Sequence, residues 1–342
     1  MLTKEDIKKI DQSNMCEIYD KWSSLARDAF DNVESSNVEK TEHIVFAGMG
    51  GSGTIGDVFS SILSKTDIHT DVVKGYHLPK TVKKNSLLVC TSVSGNTVET
   101  NSIVKEGIDI GCKIITFSDN GEIQKRAVNA GIEHRRIPLS HSPRASFVEY
   151  LYSMIKVLSP IIPISHKDVN ESIIELEETK KNISSENISE NNQSLVLAKW
   201  IKKIPLVYYP WGLQATAIRF KNSLQENAKI PAMVEDVIEA SHNSIMSWES
   251  NYQVQPILLQ GKDDDVKTKE RWSVLKEYFN EKDIEYNEIY SNTGNILAKI
   301  VGLIYKLDYS SIYKAFLLNI DPTPVNSINI LKKKIQEKNN NI

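Results

Sequence analysis

Two short stretches hold residues whose types and spacing suit one kind of chemistry. The first is Gly48-Met49-Gly50-Gly51-Ser52-Gly53, which follows the apolar run 43–47. The second is Ser92-Val93-Ser94-Gly95-Asn96-Thr97, which follows the apolar run 87–90. Glycines let backbone N–H groups close on a ligand, and a helix starting just beyond them offers partial positive charge to an anion. The hydroxyls of Ser92, Ser94 and Thr97 can share the oxygens of a phosphate monoester with those amides. A dinucleotide site is the competing reading, because Gly48, Gly50 and Gly53 fit G-x-G-x-x-G. That site also wants an acid at the end of the second strand, and Asp71 falls inside the strand expected at 68–73. For either loop alone, an ordinary hydroxyl-rich helix cap is an equal alternative. Two loops at successive strand ends of one sheet make a pocket at its carboxyl edge, which favours a small phosphorylated ligand.

Elements of alternating type must position these loops. Strands are expected at 43–47, 68–73, 87–90, 113–117 and 135–139. Helices are expected from Thr54 through 58–63, from the second loop to Gly111, and at 122–130 with Gly131 as its stop. An apolar helix at 147–158 closes this unit, and Ile7, Ile10, Met15 and Ile18 form a packing face within an amphipathic helical segment at 1–40. Pro160 and Pro163 mark a boundary, and the Glu-, Lys- and Asn-rich stretch 166–194 reads as an exposed helix or linker. A second unit follows: a strand at 205–209, a turn at Trp211-Gly212 and a helix at 214–224. After these come a strand at 255–260, a charged helix to Phe279, a strand at 284–289 and helices at 295–319 and 324–337. The expected fold is α/β, with two doubly wound domains on central parallel sheets plus N- and C-terminal helices. The domains are 1–158 and 201–342, joined by a helical linker at 159–200.

Composition narrows the class. With 41 Lys and Arg against 44 Asp and Glu, net charge −3, there is no cationic excess to meet a nucleic acid. No run has the length of a membrane span or a signal-peptide core. Cys16, Cys90 and Cys112 are scattered, and Cys90 in its apolar run suits a buried free thiol, so a reducing, cytoplasmic setting is expected. The seven histidines show no paired ligand spacing such as H-x-x-x-H, so no catalytic metal or other cofactor is expected.

The two loops together with Pro143-Arg144-Ala145 resemble the sugar isomerase superfamily. The run 219–229, containing Gln225-Glu226-Asn227-Ala228-Lys229, resembles more narrowly the bifunctional phosphoglucose/phosphomannose isomerases. So do Ser241-His242-Asn243 and Asp321-Pro322-Thr323-Pro324, and the likeness runs from about residue 44 to 334. It implies reversible isomerisation of glucose 6-phosphate and mannose 6-phosphate with fructose 6-phosphate. In that reading Gly50, Gly51, Ser52, Ser92, Ser94 and Thr97 hold the phosphate, Glu226 is the base and Arg144 stands near the reacting carbons. His242 assists ring opening from the neighbouring subunit of a homodimer, and a lysine of the last helix enters the site. Among Lys332, Lys333 and Lys334, only Lys332 projects within the stripe of Val325, Ile328, Leu331 and Ile335, which is expected to be a buried face. The chemistry is consistent with these residue types: a carboxylate shuttles one proton between C1 and C2 through a cis-enediol, a cation steadies the enediolate, and a histidine opens the ring. A non-catalytic phosphosugar sensor would keep both loops and could dispense with Glu226, His242 and Lys332. An aminosugar phosphate isomerase is the other alternative.

Overall fold

The computed structural model describes residues 2–250 and 253–339. Three short helices, α1 (Lys4–Ile10), α2 (Met15–Asp20) and α3 (Trp22–Asp31), precede the first α/β unit. That unit runs β1 (His43–Ala47), α4 (Gly51–Leu63), β2 (His69–Val73), β3 (Leu87–Thr91), α5 (Val98–Ile110), β4 (Lys113–Ser118), α6 (Glu122–Ala130), β5 (Glu133–Arg136) and α7 (Phe147–Leu158). Its parallel sheet has the order β2-β1-β3-β4-β5. The order reverses between β1 and β3, and their two following loops flank that crevice, where open α/β sheets bind ligands. Ile44–Ala47 and all of β3 are buried, as a parallel sheet covered on both faces requires.

Two helices, α8 (His166–Ile183) and α9 (Gln193–Trp200), lead to β6 (Ile204–Tyr209) and α10 (Gln214–Ser223). A π-helical turn, Leu224–Ala228, is followed by β7 (Met233–Asp236), α11 (Val237–Ala240) and a 3-10 turn, Ser244–Glu249. Then come β8 (Val254–Gln260), α12 (Val266–Glu281), β9 (Asn287–Tyr290), α13 (Ile296–Leu317) and α14 (Asn326–Asn339). This second sheet is also parallel, in the order β7-β6-β8-β9.

Several expectations are corrected. Helix α4 begins at Gly51, three residues before Thr54, because the glycines of the loop are themselves its first turn. The strand expected at 135–139 is β5, two residues earlier, and the one at 284–289 is β9, displaced toward Tyr290. Strand β7 has no counterpart among the expectations: Met-Val-Glu-Asp is short and acidic, and its pairing to β6 makes it a strand. The stretch 166–194, expected to be an exposed helix or linker, contains helix α8, and that helix is not exposed all round. Within α8 the residues Val169, Ile173, Leu176 and Ile183 form a buried stripe against α13, while Lys167, Glu177, Glu178 and Lys181 are exposed. One apolar core therefore runs from the first sheet through α7, α8, α9 and α13 to the second sheet.

Helix α13 is buried nearly all round, and Asp308 lies at 0% exposure inside it. That carboxylate accepts from Tyr19 Oη at 3.0 Å, Arg219 Nη2 at 2.6 Å, Arg219 Nε at 3.1 Å and Ser223 Oγ at 2.7 Å. Burial opposes the charge on Arg219, but the neighbouring carboxylate more than offsets it and raises the guanidinium above its ordinary value. Removing one partner of such a pair strands the other as a buried charge. Asp308→Ala is therefore expected to lower stability by about 3–5 kcal/mol. Urea unfolding checks this, with the double variant Asp308→Ala/Arg219→Leu recovering part of the loss.

Candidate active site

The first loop turns at Gly50, whose φ of 56° and ψ of −125° lie in a region that disfavours a side chain. Ser52 is buried in the first turn of α4. In the second loop Ser92 Oγ donates to Thr97 Oγ1 at 2.9 Å, Ser94 is exposed, and Thr97 stands immediately before α5. Since β1 and β3 pair with Ala47 beside Cys90, the loops are neighbours by construction. The phosphate-binding candidates Gly50, Gly51, Ser52, Ser92, Ser94 and Thr97 thus share one sheet edge.

Arg144 approaches this edge from the turn before α7. A β-carbon placed on Gly51 would lie 3.8 Å from the Arg144 α-carbon and 3.7 Å from the Pro143 carbonyl oxygen. The turn is held from behind: Trp22 Nε1 donates to the Ala145 carbonyl at 2.9 Å, and Arg219 Nη2 donates to the Arg144 carbonyl at 2.7 Å. The Arg144 side chain is buried. Its Nε donates to Asn227 Oδ1 at 2.7 Å, its Nη2 to the Pro322 and Thr323 carbonyls at 2.6 and 2.9 Å, and its Nη1 lies 3.5 Å from Glu226 Oε2.

Glu226 and Asn227 lie on the π-helical turn that extends α10. The wider turn changes the angular position of side chains relative to a continued α-helix, and such turns recur at functional sites. Asn227 is fully buried, donating to Ser311 Oγ at 2.8 Å, whereas the Glu226 side chain keeps 25% of its surface open. The result is a carboxylate that can move a proton and a guanidinium that can stabilise an oxyanion, next to an anion cradle.

Lys229 is a neighbour that sequence reasoning missed. It ends the π-helical turn with φ of 59°, in the left-handed region, and its ammonium folds back on the carbonyls of Glu226, Pro322 and Pro324. Burial of that end and then the charge of Arg144 lower its pKa. Its presence in the 225–229 run was the available signal, but nothing there revealed that 322–324 would pack onto it.

The remaining candidates stand apart. His242 is exposed in the turn after α11, and among the described residues it makes no side-chain hydrogen bond or ion pair with Arg144 or Glu226. Lys332 is exposed too. The stripe expected to be buried is open, with Ile328, Leu331 and Ile335 at 38, 61 and 41% exposure, so the packing ground for choosing Lys332 fails within one chain. Helical periodicity gives the apolar face and is silent on what covers it. A cavity of about 420 Å³ lies elsewhere, lined by residues of the α4 end and β2 start and by Trp211, Gly212 and Gln214.

Residues 190–335 match the family described as bacterial phospho-glucose isomerase C-terminal SIS domain. The chain is 31% identical over 336 residues to the bifunctional phosphoglucose/phosphomannose isomerase of Caldicellulosiruptor bescii, covering 95% of this chain and 97% of that one. It is 30% identical over 328 residues to the protein of that name from Aquifex aeolicus, covering 92% and 94%. A solved structure titled as a hypothetical protein from Thermus thermophilus aligns over 98% of this chain and 92% of that chain. Its TM-score is 0.73 at 12% identity, a likeness of fold.

The second loop offers a direct test of the anion cradle. Gly95 has φ of 69°, and a β-carbon there would lie 1.6 Å from the Asn120 carbonyl oxygen. Gly95→Ala must therefore displace the loop. A loss of at least tenfold in affinity for a phosphate monoester, about 1.4 kcal/mol, is expected by calorimetry with circular dichroism unchanged.

Proposed function

The chain belongs to the bifunctional phosphoglucose/phosphomannose isomerase family, and we propose that it interconverts glucose 6-phosphate and mannose 6-phosphate with fructose 6-phosphate. The observation that carries this is the meeting of Arg144 and Glu226, 3.5 Å apart, at the mouth of the phosphate loops. The two aldoses differ only in configuration at C2, so one cis-enediol serves both.

In this reading the amides of Gly50 and Gly51 and the hydroxyls of Ser52, Ser92, Ser94 and Thr97 fix the phosphate. Glu226 takes the C2 proton of the open-chain aldose and returns it to C1, while the hydroxyl proton passes from O2 to O1. The Arg144 guanidinium, held by three other acceptors, faces the developing negative charge without having to reorganise. His242 opens the ring and Lys332 enters the site from α14. His242 comes from a second copy of the chain. The exposed stripe on α14 supports a homodimer, since Ile328, Leu331 and Ile335 on one helix face need a partner to leave water.

Turnover of both aldoses is expected to persist with chelator present. Failure on mannose 6-phosphate alone would restrict the reading to glucose 6-phosphate, and failure on both would overturn it. Glu226→Gln is expected to lose about 10²–10⁴ in kcat, the usual contribution of a general base, while still binding fructose 6-phosphate. Mixing inactive Glu226→Gln with inactive His242→Ala checks the shared site. Subunit exchange should restore about a quarter of wild-type turnover, because half of the dimers then carry one intact site of two. No recovery after exchange would place His242 outside the neighbour's site.

A further inference from the structure

We propose that His43, His69 and Asp71 form a binding site for one divalent transition-metal ion, zinc by the chemistry of the donors, at the end of the first sheet away from the phosphate loops. β1 and β2 are parallel and in register, with His43 directly opposite His69 where both strands begin. Asp71 lies two residues further along β2, on the same face as His69. The two imidazole rings are 4.9 Å apart between centroids. Asp71 Oδ2 is 3.0 Å from His43 Nε2 and 3.7 Å from His69 Nε2, and one donor atom from each residue falls within 4.8 Å of the others. Ligands about 2.0–2.1 Å from a tetrahedral zinc ion lie about 3.3 Å apart, so a small rotation of the His69 ring completes the geometry. That ring is free to rotate, with its side chain 64% exposed.

The surroundings suit a metal ligand as well as the hydrogen bond between His43 and Asp71. His43 Nδ1 lies 3.0 Å from Ser86 Oγ, which also accepts the Lys83 N–H at 3.0 Å. With Nδ1–H donating to Ser86, the His43 Nε2 lone pair points at the position between the two strands, the tautomer a metal requires. Two imidazoles and one carboxylate leave at least one coordination position open to water, and this donor set suits zinc, nickel or copper rather than magnesium or calcium. Exposure of His69 provides the entry path. Since β2 is the edge strand, a bound ion would pin it to β1, and binding that exists only in the folded chain raises stability by linkage. The site serves no step of the isomerisation proposed above, and its test does not depend on that reading.

The experiment uses the full chain without an affinity tag, stripped with chelator and titrated with Zn²⁺ by calorimetry, with visible absorption of added Co²⁺ as a second readout. One Zn²⁺ per chain is expected, together with a rise in the thermal midpoint. His69→Ala and Asp71→Asn should each weaken binding at least tenfold and abolish the midpoint shift, with catalytic turnover unchanged. Absence of zinc binding to the wild-type chain overturns the proposal, as does His69→Ala binding with wild-type affinity.

Discussion

The carboxylate of Asp308 is the constraint on which the site depends. A charge at 0% exposure must be met by hydrogen bonds and an opposite charge, and four bonds from three residues meet it. Those residues come from α2 and α10, so one buried oxygen pair ties the start of the chain, the helix before the π-helical turn, and α13. Arg219 carries the effect one step further. Its guanidinium lies 4.2 Å from the Phe147 ring centroid, and it also donates to the Arg144 carbonyl. The backbone of Arg144 is thus held, through Arg219, by a charge buried on another element. Surface ion pairs of this molecule, such as Lys21 with Glu17, are exposed and contribute little by comparison.

The two α/β units divide the work. The first supplies the proposed anion cradle from strand ends and a helix N-terminus, which local backbone geometry alone can build. The second supplies the Glu226 carboxylate, proposed as the base, from an irregular helix end, which only tertiary packing can aim. Helices α4 and α10 pack against each other, with the first turn of α4 near Arg144 and Glu226 just beyond the end of α10. The cradle and the carboxylate therefore meet at one end of a helix pair.

Most of the strands and helices were legible, because β1, β3, α6 and α7 are apolar runs or periodic segments bounded by glycine or polar turns. The two glycine- and hydroxyl-rich loops at the ends of β1 and β3 were legible for the same reason: local residue types dictate them. The pairing of Arg144 with Glu226 was not, since 82 residues separate them and only the family resemblance linked them. Lys229 and the carbonyls of 322–324 went unseen because backbone acceptors leave no mark in a sequence. The apolar periodicity of α14 is visible in the residues, but whether a neighbouring element of the same chain covers that stripe is not, and among the described residues none does so. His43 and His69 show the same limit: 26 positions apart, they look dispersed until strand register sets them side by side.

Sequence separation also orders the assembly of the protein. The cradle is made by the loops after β1 and β3, which lie within one stretch of the first sheet and close over tens of residues. The hydrogen bond from Tyr19 to Asp308 spans 289 residues, and that from Trp22 to Ala145 spans 123. During synthesis, which proceeds from the N-terminus, the first sheet can therefore form while α13 is still to be made. Arg144 lacks its support until Arg219 and Asp308 arrive. On the proposed function, a nascent chain would acquire the ability to hold a phosphate well before it could move a proton.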